Sequence, residues 1–397
     1  MRFLKLLRAA LTGGSSALSA LWTFPSILLS AFLVAWGAEA AQFLISQGLA
    51  LAILAWLQTL PEFAVESVIA WEAGKDPQRA HLAVANLTGA IRLLIGLGWP
   101  MIYFVYAFYG RHRSAVRFPV LRLEAEHAVE VVGIVPALLY FVVILLKGTI
   151  GWIDAVVLLG LYGAYLWVLF QHPPHSIENL ADAPAVSRWA YGQRGWRRPA
   201  AIGGLFVLGG ALLFFTAHPF LESLLAVAAT VGVSQFVLVQ WVAPFLSEFP
   251  EKLSAFQWAR RVTHAPMAMM NMLSSNINQW TVLAAMIPLV FGYSHWRHTG
   301  VWTTFAFDGA QRLEILITLL QSVLATLLLL ELAFSWGEAA GIFVLWVVQF
   351  LMPHLRSEVA AGYALWIILL FVQYGMGDRK AVALTQFWRT LRAARGS

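Results

Sequence analysis

Apolar runs of roughly 18 to 25 residues recur along the whole chain, each long enough to cross the about 30 Å hydrocarbon layer of a bilayer as a helix. In lipid every backbone polar group must find its partner inside the protein, which leaves only helices and closed barrels. Barrel strands need short alternating segments, and the sequence has none. The fold class expected is therefore an all-α integral membrane protein. Composition agrees: 60% of residues are hydrophobic and 12% charged, with a mean hydropathy of +0.73, too little polarity to cover a soluble domain. The chain has no cysteine, which excludes disulfides, thiolate metal sites and cysteine nucleophiles. Its net charge of +6 sits in loops and tails, a pattern that meets membrane lipid head groups, with no nucleic-acid partner expected.

Apolar runs between charged or Pro/Gly-rich breaks place spans near 22–44, 47–72, 82–109, 129–147, 151–170, 200–229, 232–259, 264–292, 312–333, 336–353 and 358–376. About 10 to 11 transmembrane helices are thus expected, with residues 1–21 as an N-terminal arm and 22–170 as a first five-helix repeat. Residues 171–199, HPPHSIENLADAPAVSRWAYGQRGWRRP after Gln171, form a hydrophilic connector whose prolines and arginines fit no buried helix. Residues 200–376 make a second repeat with an extra C-terminal helix, and 377–397 a basic tail. The side holding loop 110–128, the connector and the tail is the more basic and so cytoplasmic. Arginine outnumbers lysine and no organelle address is evident, which points to a bacterial inner membrane.

Two apolar runs carry residues that lipid and helix both disfavour: LPEFAVESVIAW at 60–71 and LSEFPEKLSAF at 246–256. Pro61-Glu62 recurs as Pro250-Glu251, and Asn86 recurs as Asn271 at a similar distance. With five spans per half, the second copy enters the membrane from the opposite side, giving two inverted-topology repeats with a site at the midplane. Glu62 and Glu66, four apart, share a helix face, as nearly do Glu248 and Glu251. Two facing hairpins are then expected to bring up to four carboxylates together. An ionised side chain at the bilayer centre costs about 2.5 to 3.5 kcal/mol on insertion scales, so these acids need a cation, a proton or an arginine. Carboxylate oxygens, with carbonyls that the prolines free, are the ligands of a hard cation such as Ca²⁺ or Na⁺.

These segments resemble the alpha repeats of the calcium/cation antiporter superfamily, whose sodium/calcium exchangers carry G-T-S-L-P-E and then G-N-x-x-G-S-N in each repeat. Here the first repeat reads LQTLPE (57–62) and ANLTGAI (85–91), the second LSEFPE (246–251) and MNMLSSNI (270–277). The run VGVSQFVLVQWVAPFLSEFPEK (231–252) is similar to the calcium/proton exchangers of that superfamily, and GTIGWIDAVVLLGLYGAYLW (148–167) matches the helix before their connector. The resemblance implies a secondary antiporter for Ca²⁺ or a related cation against Na⁺ or H⁺, with no cofactor beyond the transported ions. It puts the essential metal-binding glutamates at Glu62 and Glu251, hydroxyl ligands at Thr59, Ser247 and Ser275, and a last ligand at Gln279. Ala90 and Leu94 stand where exchangers have a serine and an amide, Glu248 replaces a serine, and the first hairpin is longer between its motifs.

Arg92 lies between Ala90 and Leu94 and cannot deprotonate, so it requires a carboxylate. Glu66 or Glu62 is the expected partner, with the arginine replacing one bound cation. Asn86 and Asn271 read either as ion ligands or as interhelical hydrogen bonders. Lys252 is expected to snorkel to the interface. His172, His175 and Glu178 have metal-like spacing but sit in a Pro-rich loop, and the eighteen tryptophans read as interface belts. Other readings are an intramembrane lipid-processing enzyme, which lacks support from HExxH, GxSxG or paired Asp-rich motifs, and a degenerate family member kept as a sensor or scaffold.

Overall fold

The apolar runs fold as helices in a computed structural model that describes residues 16–44, 59–111, 118–171, 180 and 183–395. The arm up to residue 15, the 47–58 part of the expected second span, and His172, His175 and Glu178 lie outside the described residues. Among the described residues seven helices are long and apolar enough to cross a membrane: Ala17–Ala41, Ala80–Gly110, Ala125–Lys147, Trp152–Phe170, Arg197–Val231, Gly309–Leu329 and Pro353–Met376. The protein is a multi-pass membrane protein. Two shorter apolar helices, Gln235–Ser247 and Trp336–Leu351, fall below that length. The expected continuous span 232–259 is in fact two helices, Gln235–Ser247 and Phe249–Arg260, because Glu248 leaves the helical region at φ −99° and ψ 5°.

The chain forms two compact units. The first comprises residues 1–89, 176–251 and 293–301; the second comprises 90–175, 252–292 and 302–397.

In the first unit the opening helices of both halves, Ala20–Ala41 and Arg197–Val231, pack along each other. Small residues permit this: a Cβ on Gly209 would lie 2.9 Å from Val34 Cγ2, and one on Gly37 3.3 Å from Leu205 Cβ. Thr23 and Ser223 share a buried hydrogen bond of 2.7 Å across the pair. The helix Leu60–Lys75 packs against both and against Gln235–Ser247. The segment ending at Gly89 crosses Gln235–Ser247 so closely that a Cβ on Gly89 would meet the Gln240 carbonyl oxygen at 1.8 Å; only glycine fits there.

The second unit displays the inverted repeat directly. Two short antiparallel strand pairs join corresponding loops: Leu121–Arg122 with Ala333–Phe334, and Thr149–Ile150 with Phe305–Ala306. One constant offset carries Leu121–Arg122 onto Phe305–Ala306 and Thr149–Ile150 onto Ala333–Phe334. Exchanging the repeats therefore converts one strand pair into the other, as a two-fold axis in the membrane plane requires. The polar helices of the two halves, Ala80–Gly110 and the run from Ala265 to Thr299, also run oppositely. Tyr109, at the end of Trp99–Gly110, holds Arg260 over its ring at 5.1 Å, just before Ala265–Asn278 begins. Farther along, a Cβ on Gly98 would lie 3.2 Å from Met272 sulfur. Each polar helix contains a π-helical turn at the same place in its repeat, Leu94–Gly98 and Gln279–Leu283.

The tryptophans are only partly a belt. Trp99 and Trp280 are core residues, and Trp280 packs on Phe141 at 4.4 Å while its indole N–H donates to Ser322 at 3.0 Å.

Candidate ion-binding site

Glu62 and Glu251 both lie in the first turn of a helix, Leu60–Lys75 and Phe249–Arg260. Proline suits a first turn, where its missing N–H has no intrahelical acceptor, so Pro61 and Pro250 open helices here. A carboxylate in that turn faces the positive end of the helix dipole, which offsets part of the cost of burying it. Both glutamates belong to the first compact unit, 2% and 8% exposed. Thr59 precedes the first acidic helix and Ser247 ends the helix before the second, and both are buried. Ser247 Oγ donates to the Ala243 carbonyl at 3.0 Å, leaving its lone pairs available. Glu248 is also buried, at the C-terminal cap of Gln235–Ser247.

Glu66, fully buried, stands one turn deeper than Glu62, and its Oε2 accepts a 2.6 Å hydrogen bond from Asn86 Nδ2. Asn86 thus bonds between helices, as one of its two sequence readings held. Glu66 Oε1 and Asn86 Oδ1 make no hydrogen bond. The expectation of up to four gathered carboxylates is corrected: among the described residues no group of three His, Asp or Glu side chains is placed to hold a metal ion. Glu66 has turned to the neighbouring helix, where an amide donor satisfies one of its oxygens.

The remaining candidates belong to the second unit. Ser275 and Gln279 are buried on the second polar helix, Gln279 at the start of its π-helical turn, and Asn271 is half-buried one turn before Ser275. Lys252 does not reach the interface; it is 5% exposed.

Arg92 receives a carboxylate that the sequence had not singled out. Its Nη2 bonds Glu314 Oε2 and its Nη1 donates to Gln349 Oε1 at 3.0 Å, in side chains 1% and 2% exposed for the ion pair. The other Glu314 oxygen holds Arg356 Nη1 at 2.6 Å. Gln349 Nε2 donates onward to the Tyr363 hydroxyl at 3.4 Å, and Gln321 Nε2 to the Arg92 carbonyl at 3.4 Å. One carboxylate between two guanidiniums, with amides around it, ties Ala80–Leu93 to Gly309–Leu329, Trp336–Leu351 and Arg356–Met376.

The network joins Arg92 of the first half to Glu314, Gln349 and Arg356 of the second, and the repeat explains why it has no mirror counterpart. The offset that relates the strand pairs takes Glu130 onto Glu314, while the offset relating Asn86 to Asn271 takes Arg92 onto Ile277. The acid is duplicated and the arginine is not. An acidic residue within an apolar span was the signal that could have identified Glu314.

Among solved structures the chain is similar to the crystal structure of the H⁺/Ca²⁺ exchanger CAX at 29% identity and a TM-score of 0.85, covering 99% of this chain and 94% of that one. It is also similar to the sodium-calcium exchanger NCX_Mj soaked with 2.5 mM Na⁺ and 10 mM Sr²⁺, at 15% identity and a TM-score of 0.52, covering 85% and 99%. The second likeness concerns the fold alone. No curated protein matches the chain. The model of the sodium/calcium exchanger protein family matches residues 14–171 and again 202–353, one match in each half, and these proteins are transporters rather than enzymes. With inverted helical repeats and two matched halves, the chain belongs to the sodium/calcium exchanger family and is a cation antiporter.

Proposed function

We propose that the protein exchanges Ca²⁺ for H⁺ across the membrane, with Ca²⁺ as cargo held by Glu62 and Glu251 and helped by Thr59 and Ser247. The observation that carries this reading is the placement of both glutamates, buried, in equivalent first turns of one compact unit. Two carboxylates neutralise a divalent cation, and when it leaves, the cheapest way to keep them in a dry site is to protonate them. Glu66 adds a carboxyl given only an amide donor, suited to holding a proton. Likeness to an H⁺/Ca²⁺ exchanger over nearly the whole chain favours the proton over Na⁺ as the driving ion. So does the loss of two exchanger ligand positions to Ala90 and Leu94.

Arg92 is a fixed cation on the helix where those ligands are missing, and in this reading it takes the place of one bound ion. The cycle is alternating access, with the loaded and the protonated states able to reorient and the empty, doubly charged state unable to. The basic tail and loops favour their own side as the cytoplasmic one, and a bacterial inner membrane is the proposed location.

Proteoliposomes loaded with radiolabelled Ca²⁺ and given separate H⁺ and Na⁺ gradients test the proposal. A proton gradient is expected to drive flux that acidification on the Ca²⁺ side suppresses, because protons compete for the same carboxylates. Flux driven by Na⁺ alone would transfer the coupling to that ion. Absence of flux under both gradients would favour a non-transporting sensor.

A further inference from the structure

The last helix, Val382–Arg395, follows the final span closely and is fastened to that span's end. Gly377, at φ 82°, ends Arg356–Met376 in the left-handed region, where glycine meets no steric penalty. Arg379 then bonds Glu338 at 2.6 Å and lies 3.4 Å from Glu331. The Ala383 N–H donates to the Leu330 carbonyl at 2.8 Å. Leu330 and Glu331 belong to the turn between Gly309–Leu329 and Trp336–Leu351, and Glu338 to the first turn of the latter helix, so the last helix starts at the depth where spans end. It packs against residues 125–133, where the span Ala125–Lys147 begins.

One face of this helix is thereby covered, with Ala383 fully buried. Leu384, Thr385, Trp388, Arg389 and Arg392 are all exposed and recur at the spacing of a single helical stripe. Trp388 is 58% exposed. The helix carries no acidic residue, and the nearby Glu331 and Glu338 are engaged by Arg379. A stripe of tryptophan, leucine and arginine at span-end depth matches the head-group region, where the indole sits among the glycerol groups and the guanidiniums meet phosphates.

We propose that this stripe docks on anionic phospholipid head groups of the leaflet in which the span Ala125–Lys147 begins. Charge complementarity selects that occupant: the helix offers cations and an aromatic anchor, and the leaflet offers fixed negative charge at the same level. Arg389 and Arg392 form the charged part of the surface, Trp388 and Leu384 the part that enters the interface. The docking is independent of which ions the protein exchanges.

The absence of cysteine makes a single introduced thiol unique. Thr385→Cys carrying a nitroxide can be read by collision with a water-soluble nickel complex and with oxygen. The full chain would be held in nanodiscs of phosphatidylcholine alone or of phosphatidylcholine with phosphatidylglycerol. Expected is a severalfold lower nickel accessibility in the anionic discs, abolished by R389Q/R392Q with the oxygen signal of a control label on Gly309–Leu329 unchanged. Equal accessibility in both compositions, or a difference that survives R389Q/R392Q, would overturn the proposal and leave the stripe to a protein partner or to water.

Discussion

Glu62→Gln and Glu251→Gln are each expected to abolish Ca²⁺ exchange while the protein stays folded. Glutamine keeps the shape and removes the charge, and both positions are buried, so the substitution relieves a desolvation cost of the order of 2.5 to 3.5 kcal/mol for an ionised group in the bilayer. Stability in detergent should therefore hold or rise. The cation, however, loses one of two neutralising charges, and a divalent ion facing a single carboxylate in a low-dielectric site keeps an uncompensated positive charge. Two measurements on the same samples separate these effects: radiolabelled Ca²⁺ flux, and the rise in Tm that Ca²⁺ gives to a protein that binds it only when folded. The variants should lose both while keeping a cooperative melt. Either variant retaining normal flux would remove its glutamate from the site.

Glu314→Gln should be the most destabilising conservative change in the second unit. It leaves Arg92 and Arg356 beside a neutral amide, one buried and one half-buried guanidinium without their shared carboxylate. Breaking a buried ion pair from one side typically costs about 3 to 5 kcal/mol, because the remaining charge stays desolvated. The paired change Arg92→Gln with Glu314→Gln removes one positive charge as well, and should cost less than Glu314→Gln alone. That sign of coupling distinguishes an electrostatic network from simple packing. Denaturation in detergent reads both variants. A loss below about 1 kcal/mol for Glu314→Gln, the range of exposed pairs, would contradict the network's assigned role.

Much of the architecture was legible because membranes impose long apolar runs and because Pro-Glu and Asn recur in both halves. The acidic first turns could be read from LPE and FPE alone: a proline with an acid after it, inside a run that should be featureless, has few other uses. What the sequence obscured was rotation and pairing. Glu66 shares a face with Glu62, yet one turn of helix carries it to Asn86. Arg92 meets an acid more than two hundred residues away, and no periodicity within either helix names that partner. Lys252 follows Glu251 and reads as a snorkelling lysine, but the helix turns it inward. The broken span at Glu248 was also hidden, since hydropathy registers apolar length and not the φ and ψ of one residue.

In the proposed exchange, Ca²⁺ and protons compete for the glutamates that both repeats contribute to one unit. Calorimetric titration of the purified protein with Ca²⁺, repeated in buffers of different ionisation enthalpy, counts the protons displaced as the ion binds. Proton release is expected to rise as the starting pH falls and to disappear with Glu62→Gln combined with Glu251→Gln. Ca²⁺ binding with no proton release at any pH where it occurs would contradict it.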